Sequence, residues 1–440
     1  MRPSYQSIRK GISMDSEIKG LRRLFEEVED KRASNCSHKL EDILMSGFAM
    51  FSLKHPSLLS FEEQNEVEKE NLQNVFGIKQ ICSDAQLRKV LDTVNPDFIR
   101  QQFSEKFKLL ERAGFVREYG YKIGSKKYLI ASNDGVQHFS SKKCSCNKCL
   151  RKEHKNGSVT YHHNMLCCAL VHPDKREVFI LDSEPIINED GNTKNDCERN
   201  AAKRLLKNME KNYSSALEKY NFLMVEDALY ANEPHILDLM DKGFNYIINV
   251  KPTSQKTLFK QVEGRRKRGQ TKKHELTIDG IKHSFEYINN LCLTNSGKVR
   301  VSFIHYTQTN KKGKTITFTW ITNIKLNKNN LVAIMKTARA RWKIENETFN
   351  TLKNLGYHFE HNFGHGKDHL STMFAFLMLL AFLIDQIIQA ACHIFKAIEL
   401  NIKTKVKLWQ SIKSIFHTLI VQSMEQVYRK VAMLFAIQLE

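Results

Sequence analysis

Phe222-Leu-Met-Val-Glu-Asp-Ala-Leu-Tyr-Ala231 decides how the chain is read. Four apolar residues in a row, Phe222 to Val225, predict a strand buried on both faces, and Glu226 and Asp227 end it. Toward the N-terminus a helix is expected from about Asp196 to Tyr213, with Ala201, Ala202, Leu205, Leu206 and Met209 on its inner face. Before that helix, 165–171 and 177–181 read as strands. Lys127-Tyr-Leu-Ile-Ala131 is a further apolar run that closes on Asn133-Asp134-Gly135. Toward the C-terminus, Phe244-Asn-Tyr-Ile-Ile-Asn-Val250 is another strand. Strands alternating with a helix predict a mixed α/β sheet over 121–250.

The flanks differ in pattern. Leu21, Leu24, Phe25 and Val28 repeat at helical spacing, and Ser83-Asp84 caps a helix closed by Asn95-Pro96. Residues 1–120 are therefore expected to form a helical domain suited to docking DNA. Between Lys251 and Glu275 there are nine Lys or Arg and two acids. Alternating segments at 284–288, 299–306 and 315–322 follow, so 251–325 reads as a basic, β-rich insertion. Residues 326–370 return to the α/β domain, and 371–440 are helical.

The chain has 440 residues, 41% of them hydrophobic and 26% charged, with seven prolines. That is a globular composition with room for two or three domains. Its net charge of +20 attracts polyanions. Nucleic acid is the first candidate partner, since each cation placed on a phosphate releases condensed counterions, and an anionic membrane surface is the second. No apolar core follows Arg2, Arg9 and Lys10, so no secretory signal is expected. The apolar stretch from Met373 to Ile384, stopped by Asp385 and Gln386, is too short to span a bilayer and reads as a buried helix. Ten cysteines in such a chain point to reduced thiols in a cytoplasm.

Three acids stand out. Asp134 and Asp227 each end an apolar strand, where an α/β sheet gathers its polar site residues. Either could equally open a turn. Ile334, Ala338, Trp342, Phe349 and Leu352 fall on one stripe of a helix, and Glu345 lies in the middle of it. A carboxylate on a packed face needs a partner. Arg341, one turn earlier, is one candidate and a metal ion is the other, while Glu347 faces the opposite side. Three carboxylates from two strands and a helix suit two Mg²⁺ (or Mn²⁺) ions, which are hard and prefer oxygen. Two such ions about 4 Å apart clamp the attacking and leaving oxygens of a phosphoryl displacement.

With these positions in place, the chain resembles the bacterial insertion-sequence DDE transposases. Their catalytic domain is RNase H-like, and the cut-and-paste kind carries a β-strand insertion before the last acid. Leu129-Ile-Ala-Ser-Asn-Asp-Gly-Val-Gln-His-Phe-Ser-Ser-Lys142 is similar to the strand with the first Asp. Phe222 to Ala231 is similar to the strand with the second. Phe318-Thr-Trp-Ile-Thr-Asn323 looks like the strand leaving the insertion. Arg339-Ala-Arg-Trp-Lys-Ile-Glu-Asn346 with Phe349-Asn-Thr-Leu-Lys-Asn354 resembles the helix with the final Glu. The family pattern has a tyrosine, an arginine three residues on, a glutamate four further and a lysine seven further. Arg341 and Glu345 fit it. Ala338 stands at the tyrosine position and Leu352 at the lysine position. Lys353 comes one residue late, turned about 80–100° around an α-helix.

The resemblance implies a fold and a reaction. The fold is an RNase H-like mixed sheet with a β-rich insertion, flanked by an N-terminal helical domain and C-terminal helices. Asp134, Asp227 and Glu345 would hold two Mg²⁺ (or Mn²⁺) ions, and Arg341 and Lys353 would contact DNA. The enzyme would cleave double-stranded DNA at transposon ends and join the 3′-OH ends to target DNA. It would work as a homodimer in the bacterial cytoplasm, on the nucleoid, with no membrane partner; the apolar start of 371–440, up to Phe395, would be either core of the catalytic domain or a dimer contact. Trp320 would stack on an unstacked base, its alternative being a buried strand tryptophan. Two other readings keep the fold: a domesticated or inactive relative that only binds DNA, and an RNase H-fold nuclease without strand transfer. The shifted Lys353 and Val136-Gln137 after the first acid keep the former open.

Three local signals complete the picture. Arg265-Arg266-Lys267-Arg268, between Gly264 and Gly269, reads as an exposed loop that either contacts the DNA backbone or is merely solvated. Cys146 and Cys149 have zinc-knuckle spacing, and His154 or His162 would complete a structural Zn²⁺ site, the alternative being unligated thiols. Asp196 and Glu198 open a helix, where acids complement the N-terminus, and are not counted as catalytic.

Overall fold

A computed structural model describes residues 4–188 and 196–439. Its strands are β1 Tyr121–Ile123, β2 Lys126–Ser141, β3 Leu150–Glu153, β4 Val159–Val171, β5 Phe179–Ile186, β6 Asn221–Glu226, β7 Asn245–Asn249, β8 Lys272–Ile278, β9 Ile281–Cys292, β10 Arg300–Thr309 and β11 Thr315–Thr322. Among the described residues they form one sheet. β4 pairs antiparallel with β2 and with β5, whereas β6 and β7 extend the sheet from β2 in parallel. The order β5-β4-β2-β6-β7, antiparallel on one side of β2 and parallel on the other, is the RNase H-like arrangement. β11 then pairs antiparallel with β7, and β10, β9 and β8 follow in turn. The insertion thus continues the central sheet. Helix Lys256–Lys267 covers it, packed on β9.

β2 departs from the sequence expectation. The run was expected to close at Asn133-Asp134-Gly135, but it continues to Ser141. Its parallel pairing with β6 ends at Ser132↔Val225, while its antiparallel ladder with β4 continues as far as Ser141↔Tyr161. The longer neighbour carries the strand through an Asp-Gly pair that would otherwise turn.

The helices on either side of the α/β domain form one body. Helix Leu370–Ala391 lies at its centre, against Leu40–Ser52, Asp84–Thr93, Asp97–Arg112 and β5. By length and composition it could cross a membrane, yet its surface is almost wholly buried within the chain. Asp385 and Gln386, read from sequence as a stop, lie inside the helix because both are paired. Lys54 Nζ meets Asp385 Oδ2 at 2.6 Å, the Tyr357 hydroxyl donates to the same oxygen, and Gln386 Oε1 accepts from the Val178 amide at 3.1 Å. Asp92 accepts the amides of Lys367, Asp368, His369 and Leu370, so a neighbouring helix caps this one. Of the region 371–440 expected to supply a dimer contact, the stretch up to Ala391 is therefore interior core. Arg100 on Asp97–Arg112 ties the helical body to β5 through Asp182 (2.7 Å) and Glu184 (2.6 Å).

The far end of β2 carries a buried histidine. His138 lies beside Phe359 and His163, with ring centroids 5.9 and 6.1 Å away. Burial first, and then the nearby His163, push its pKa down to about 3. The unfolded chain takes up a proton here below its ordinary value of 6.5 and the folded chain does not. Stability should therefore fall as pH drops through that window, by up to about 1.4 kcal/mol per pH unit. Urea melts across pH 4–7 should show a shallower slope in His138→Gln than in wild type, and an unchanged slope would remove His138 as the cause.

Candidate active site

Register sets the two strand acids at the same level of neighbouring strands. Tyr128↔Asn221 to Ser132↔Val225 pair in parallel, and the same offset of 93 residues relates Asn133 to Glu226 and hence Asp134 to Asp227. β6 ends at Glu226 while β2 runs on along β4, so both acids stand where the strands part. Asp227 opens the 3-10 turn Ala228–Tyr230, and its Oδ1 accepts from the Leu229 amide at 2.8 Å. Glu226 points the other way, as alternation requires. His235 Nε2 and Asn133 Nδ2 bind it at 2.9 and 3.0 Å, so it is satisfied away from the cleft.

Glu345 arrives on an irregular helix. The sequence predicts one α-helical stripe, but helix Leu331–Arg339 gives way to a π-helical segment, Ile344–Phe349, before helix Asn350–Asn354. A π turn holds an extra residue and shifts the phase of everything after it. Ile334, Ala338, Phe349 and Leu352 stay buried, but Trp342 is 44% exposed and the Glu345 side chain 45%. Glu345 thus leaves the packed face and enters the cleft. Arg341, itself buried, joins the acids: its Nη2 lies 2.7 Å from Glu345 Oε1 and its Nη1 3.5 Å from Asp134 Oδ2. Burial, followed by the charge of Glu345 and a hydrogen bond to it, pushes the Asp134 pKa up to about 7 against the pull of Arg341. Helix Asn350–Asn354, which follows, carries both Leu352 and Lys353. Leu352 is core, whereas Lys353 is partly exposed, 2.7 Å from Glu360.

A fourth carboxylate joins them. A Cβ built at Gly135 would come 2.5 Å from Glu198 Oε1, so this glycine leaves room for the Glu198 carboxylate, at the start of helix Glu198–Asn212, right beside Asp134-Gly135. Burial and then the charge of Asp227 raise the Glu198 pKa. The Tyr230 hydroxyl lies 3.5 Å from Glu198, within the fields of Asp227 and Asp134. Sequence reading set Glu198 aside as a helix-end acid, which is how most acids at that position behave. Only the tertiary approach to Gly135 reveals it. Asp196 instead pairs with Arg204 at 2.8 Å.

A family model described as a transposase DDE domain matches residues 137–383, more than half of the chain. The chain belongs to this family. No curated protein matches it. The matched span begins just past Asp134 and includes Asp227 and Glu345. This is a DDE transposase of the insertion-sequence type, from a family of DNA-acting enzymes that generally use divalent cations such as Mg²⁺.

The cleft of the transposase fits such cations. Asp134, Asp227, Glu345 and Glu198 offer oxygen ligands only, and Arg341 is the cation paired with two of them. Glu345 raises the Asp134 pKa and Asp227 raises that of Glu198. Carboxylates in such pairs repel one another, and hard divalent ions would relieve that repulsion.

Other expected contacts change on inspection. Trp320 is 2% exposed and packed with Tyr306 (5.8 Å) and Phe318 (5.4 Å), so a base cannot reach its face. Trp342 is the exposed ring, edge-on to Phe318 at 6.1 Å. The basic run is the last turn of Lys256–Lys267 and its cap, not a loop. Arg266 is neutralised by Glu286 at 2.6 Å and Arg265 donates to Gln270, while Lys267 and Arg268 remain exposed. Cys146 and Cys149 do meet histidines, but not the two expected. His154 bonds Thr160 at 2.7 Å, and His162 faces away from its neighbour His163 because successive strand residues alternate. His163 and His365 stand by the thiols instead.

Proposed function

We propose that this transposase cleaves DNA at the ends of its own element and joins the freed 3′-OH ends to target DNA, acting as a homodimer on double-stranded DNA. Asp134, Asp227 and Glu345 serve as the cation-holding carboxylates. The observation that carries this reading is the common offset that sets Asp134 beside Asp227, together with the Arg341 bridge that brings Glu345 to Asp134. Two Mg²⁺ or Mn²⁺ ions held there would supply Lewis-acid stabilisation at the attacking and leaving oxygens. The chain's own residues do the rest. Strand β2 fixes Asp134, the turn that follows β6 fixes Asp227, and the π segment carries the third acid. Arg341, with its planar fork already at the acids, is placed to meet a phosphate. Lys353, Lys267 and Arg268 supply backbone contacts outside the cleft.

Trp342 takes the stacking role. It is exposed, lies three residues before Glu345, and is backed by Phe318, over which Arg339 sits at 5.8 Å. Trp342→Ala should weaken binding to an end duplex by about 1–3 kcal/mol. It should also abolish the fluorescence change of a 2-aminopurine placed at the terminal base. An unaltered fluorescence change would leave Trp342 without this role.

The function is tested with the full chain, Mg²⁺ and a duplex carrying the inverted repeat that flanks the gene. Joined products support the proposal. Cleavage without joining would make the protein a nuclease, and binding without cleavage an inactive relative.

A further inference from the structure

Away from the carboxylate cleft, three segments aim ligand atoms at one point. Cys146 and Cys149 come from the connection between β2 and β3, His163 from β4, and His365 from the segment leading into Leu370–Ala391. All four ligand atoms lie within 4.8 Å of one another, the one such His, Cys, Asp or Glu group among the described residues. The two sulfurs are 3.7 Å apart. The sulfur–nitrogen separations are 3.5 Å for Cys146–His163, 3.3 Å for Cys149–His163 and 3.1 Å for Cys149–His365. The two Nε2 atoms are 3.3 Å apart. A tetrahedron with metal–sulfur bonds of about 2.3 Å and metal–nitrogen bonds of about 2.05 Å has edges of about 3.8, 3.5 and 3.3 Å for S–S, S–N and N–N. The observed edges follow that pattern to within a few tenths of an ångström.

We propose that Cys146, Cys149, His163 and His365 bind a structural Zn²⁺ ion. Two thiolates and two imidazoles are a borderline-soft set that selects zinc over Mg²⁺ or Ca²⁺. Four protein ligands close the tetrahedron and leave no position for substrate, which makes the site structural. Binding releases the proton of each thiol, and each imidazole coordinates through Nε2 in its neutral form. The turn is shaped for the task. The Cys149 amide donates to the Cys146 carbonyl at 3.1 Å, and the Cys146 amide points at Cys149 Sγ at 3.5 Å, as befits an electron-rich sulfur. Asn188 Nδ2 holds the Cys149 carbonyl at 3.1 Å, and Lys148 Nζ reaches the Asp368 carbonyl at 2.9 Å. The ion would link β4, and through it the strand carrying Asp134, to the chain leaving the Glu345 helix. His163 and His365 are 202 residues apart in sequence. None of the four ligands belongs to the carboxylate cleft, so this inference does not depend on the catalytic reading.

Metal analysis of the full-length protein, purified without a chelator or a metal-affinity step, tests it. One zinc per chain is expected, lost in Cys149→Ser and in His365→Ala but kept in His154→Ala, His162→Ala and Asp227→Asn. Should the ligand variants fold poorly, chelator-stripped wild type titrated with Co²⁺ gives an independent readout. It should develop the intense visible bands and sulfur-to-cobalt charge transfer of a tetrahedral thiolate site, saturating at one equivalent. Zinc retained in both ligand variants, or wild type that neither contains zinc nor yields that spectrum, would overturn the proposal.

Discussion

Asp227→Asn should leave the transposase folded and able to hold an end duplex while slowing cleavage by at least about a thousandfold. The substitution separates the two roles open to this residue. As a cap, Asp227 accepts the Leu229 amide, and asparagine caps a helix about as well as aspartate. Thermal stability should therefore change little. As a cation ligand, the neutral amide has lost the charge that a hard divalent ion requires. Asp134→Asn and Glu345→Gln should fail likewise, because each removes one side of the same cluster. Single-turnover cleavage with Mg²⁺, alongside gel-shift binding, gives the comparison. Cleavage within about tenfold of wild type, under 1.4 kcal/mol of barrier, would reduce Asp227 to a cap.

Asp385→Ala should destabilise the fold by about 3–5 kcal/mol, because it strands a buried ammonium. Lys54 and Asp385 are both almost completely shielded from solvent, and they join the end of the Leu40–Ser52 helix to the middle of Leu370–Ala391. The Lys54 ammonium also lies over the rings of Tyr357 (4.2 Å) and Trp409 (4.4 Å). Burial pulls the Lys54 pKa down, and Asp385 opposes that pull. Removing the carboxylate leaves burial unopposed. Lys54→Met should cost a similar amount, since it leaves Asp385 with only the Tyr357 hydroxyl. The double variant Lys54→Met/Asp385→Leu should recover most of the loss, as apolar replacements of buried pairs commonly do. Urea denaturation of all four proteins reads the cycle. A loss under about 1 kcal/mol in Asp385→Ala would show that the pair is no more than a surface-like contact.

The strands that carry the candidate acids were legible in the sequence because burial writes itself into strands. Phe222 to Val225 and Tyr128 to Ala131 are apolar runs, and Asp227 and Asp134 follow within three residues of their ends. The elements that eluded sequence reading depend on partners far along the chain. An Asp-Gly pair looks like a turn, and β2 passes through Asp134-Gly135 only because β4 is long enough to pair with it. The Glu345 helix was read with a uniform period. The helix instead ends at Arg339 and gives way to a π segment from Ile344, which leaves Trp342 at the surface between the two. Trp320 stands in an alternating strand that could have faced either way, and the ladder with β10 turned it inward beside Tyr306. Spacing identified Cys146 and Cys149, yet choosing His163 over His162 required the strand's facing. His365 could be found only in the folded chain.

The pairing of β11 with β7 has a mechanical consequence. A duplex held at Lys267 and Arg268, as proposed, would pull on strands hydrogen-bonded continuously to β7 and β6, the latter ending one residue before Asp227. Load applied at the rim would therefore reach the proposed cation site through a stiff ladder and not across a loose joint. Trimming 251–325 to make a smaller enzyme would instead bare the β7 edge, inviting foreign strands to add there and the shortened protein to clump.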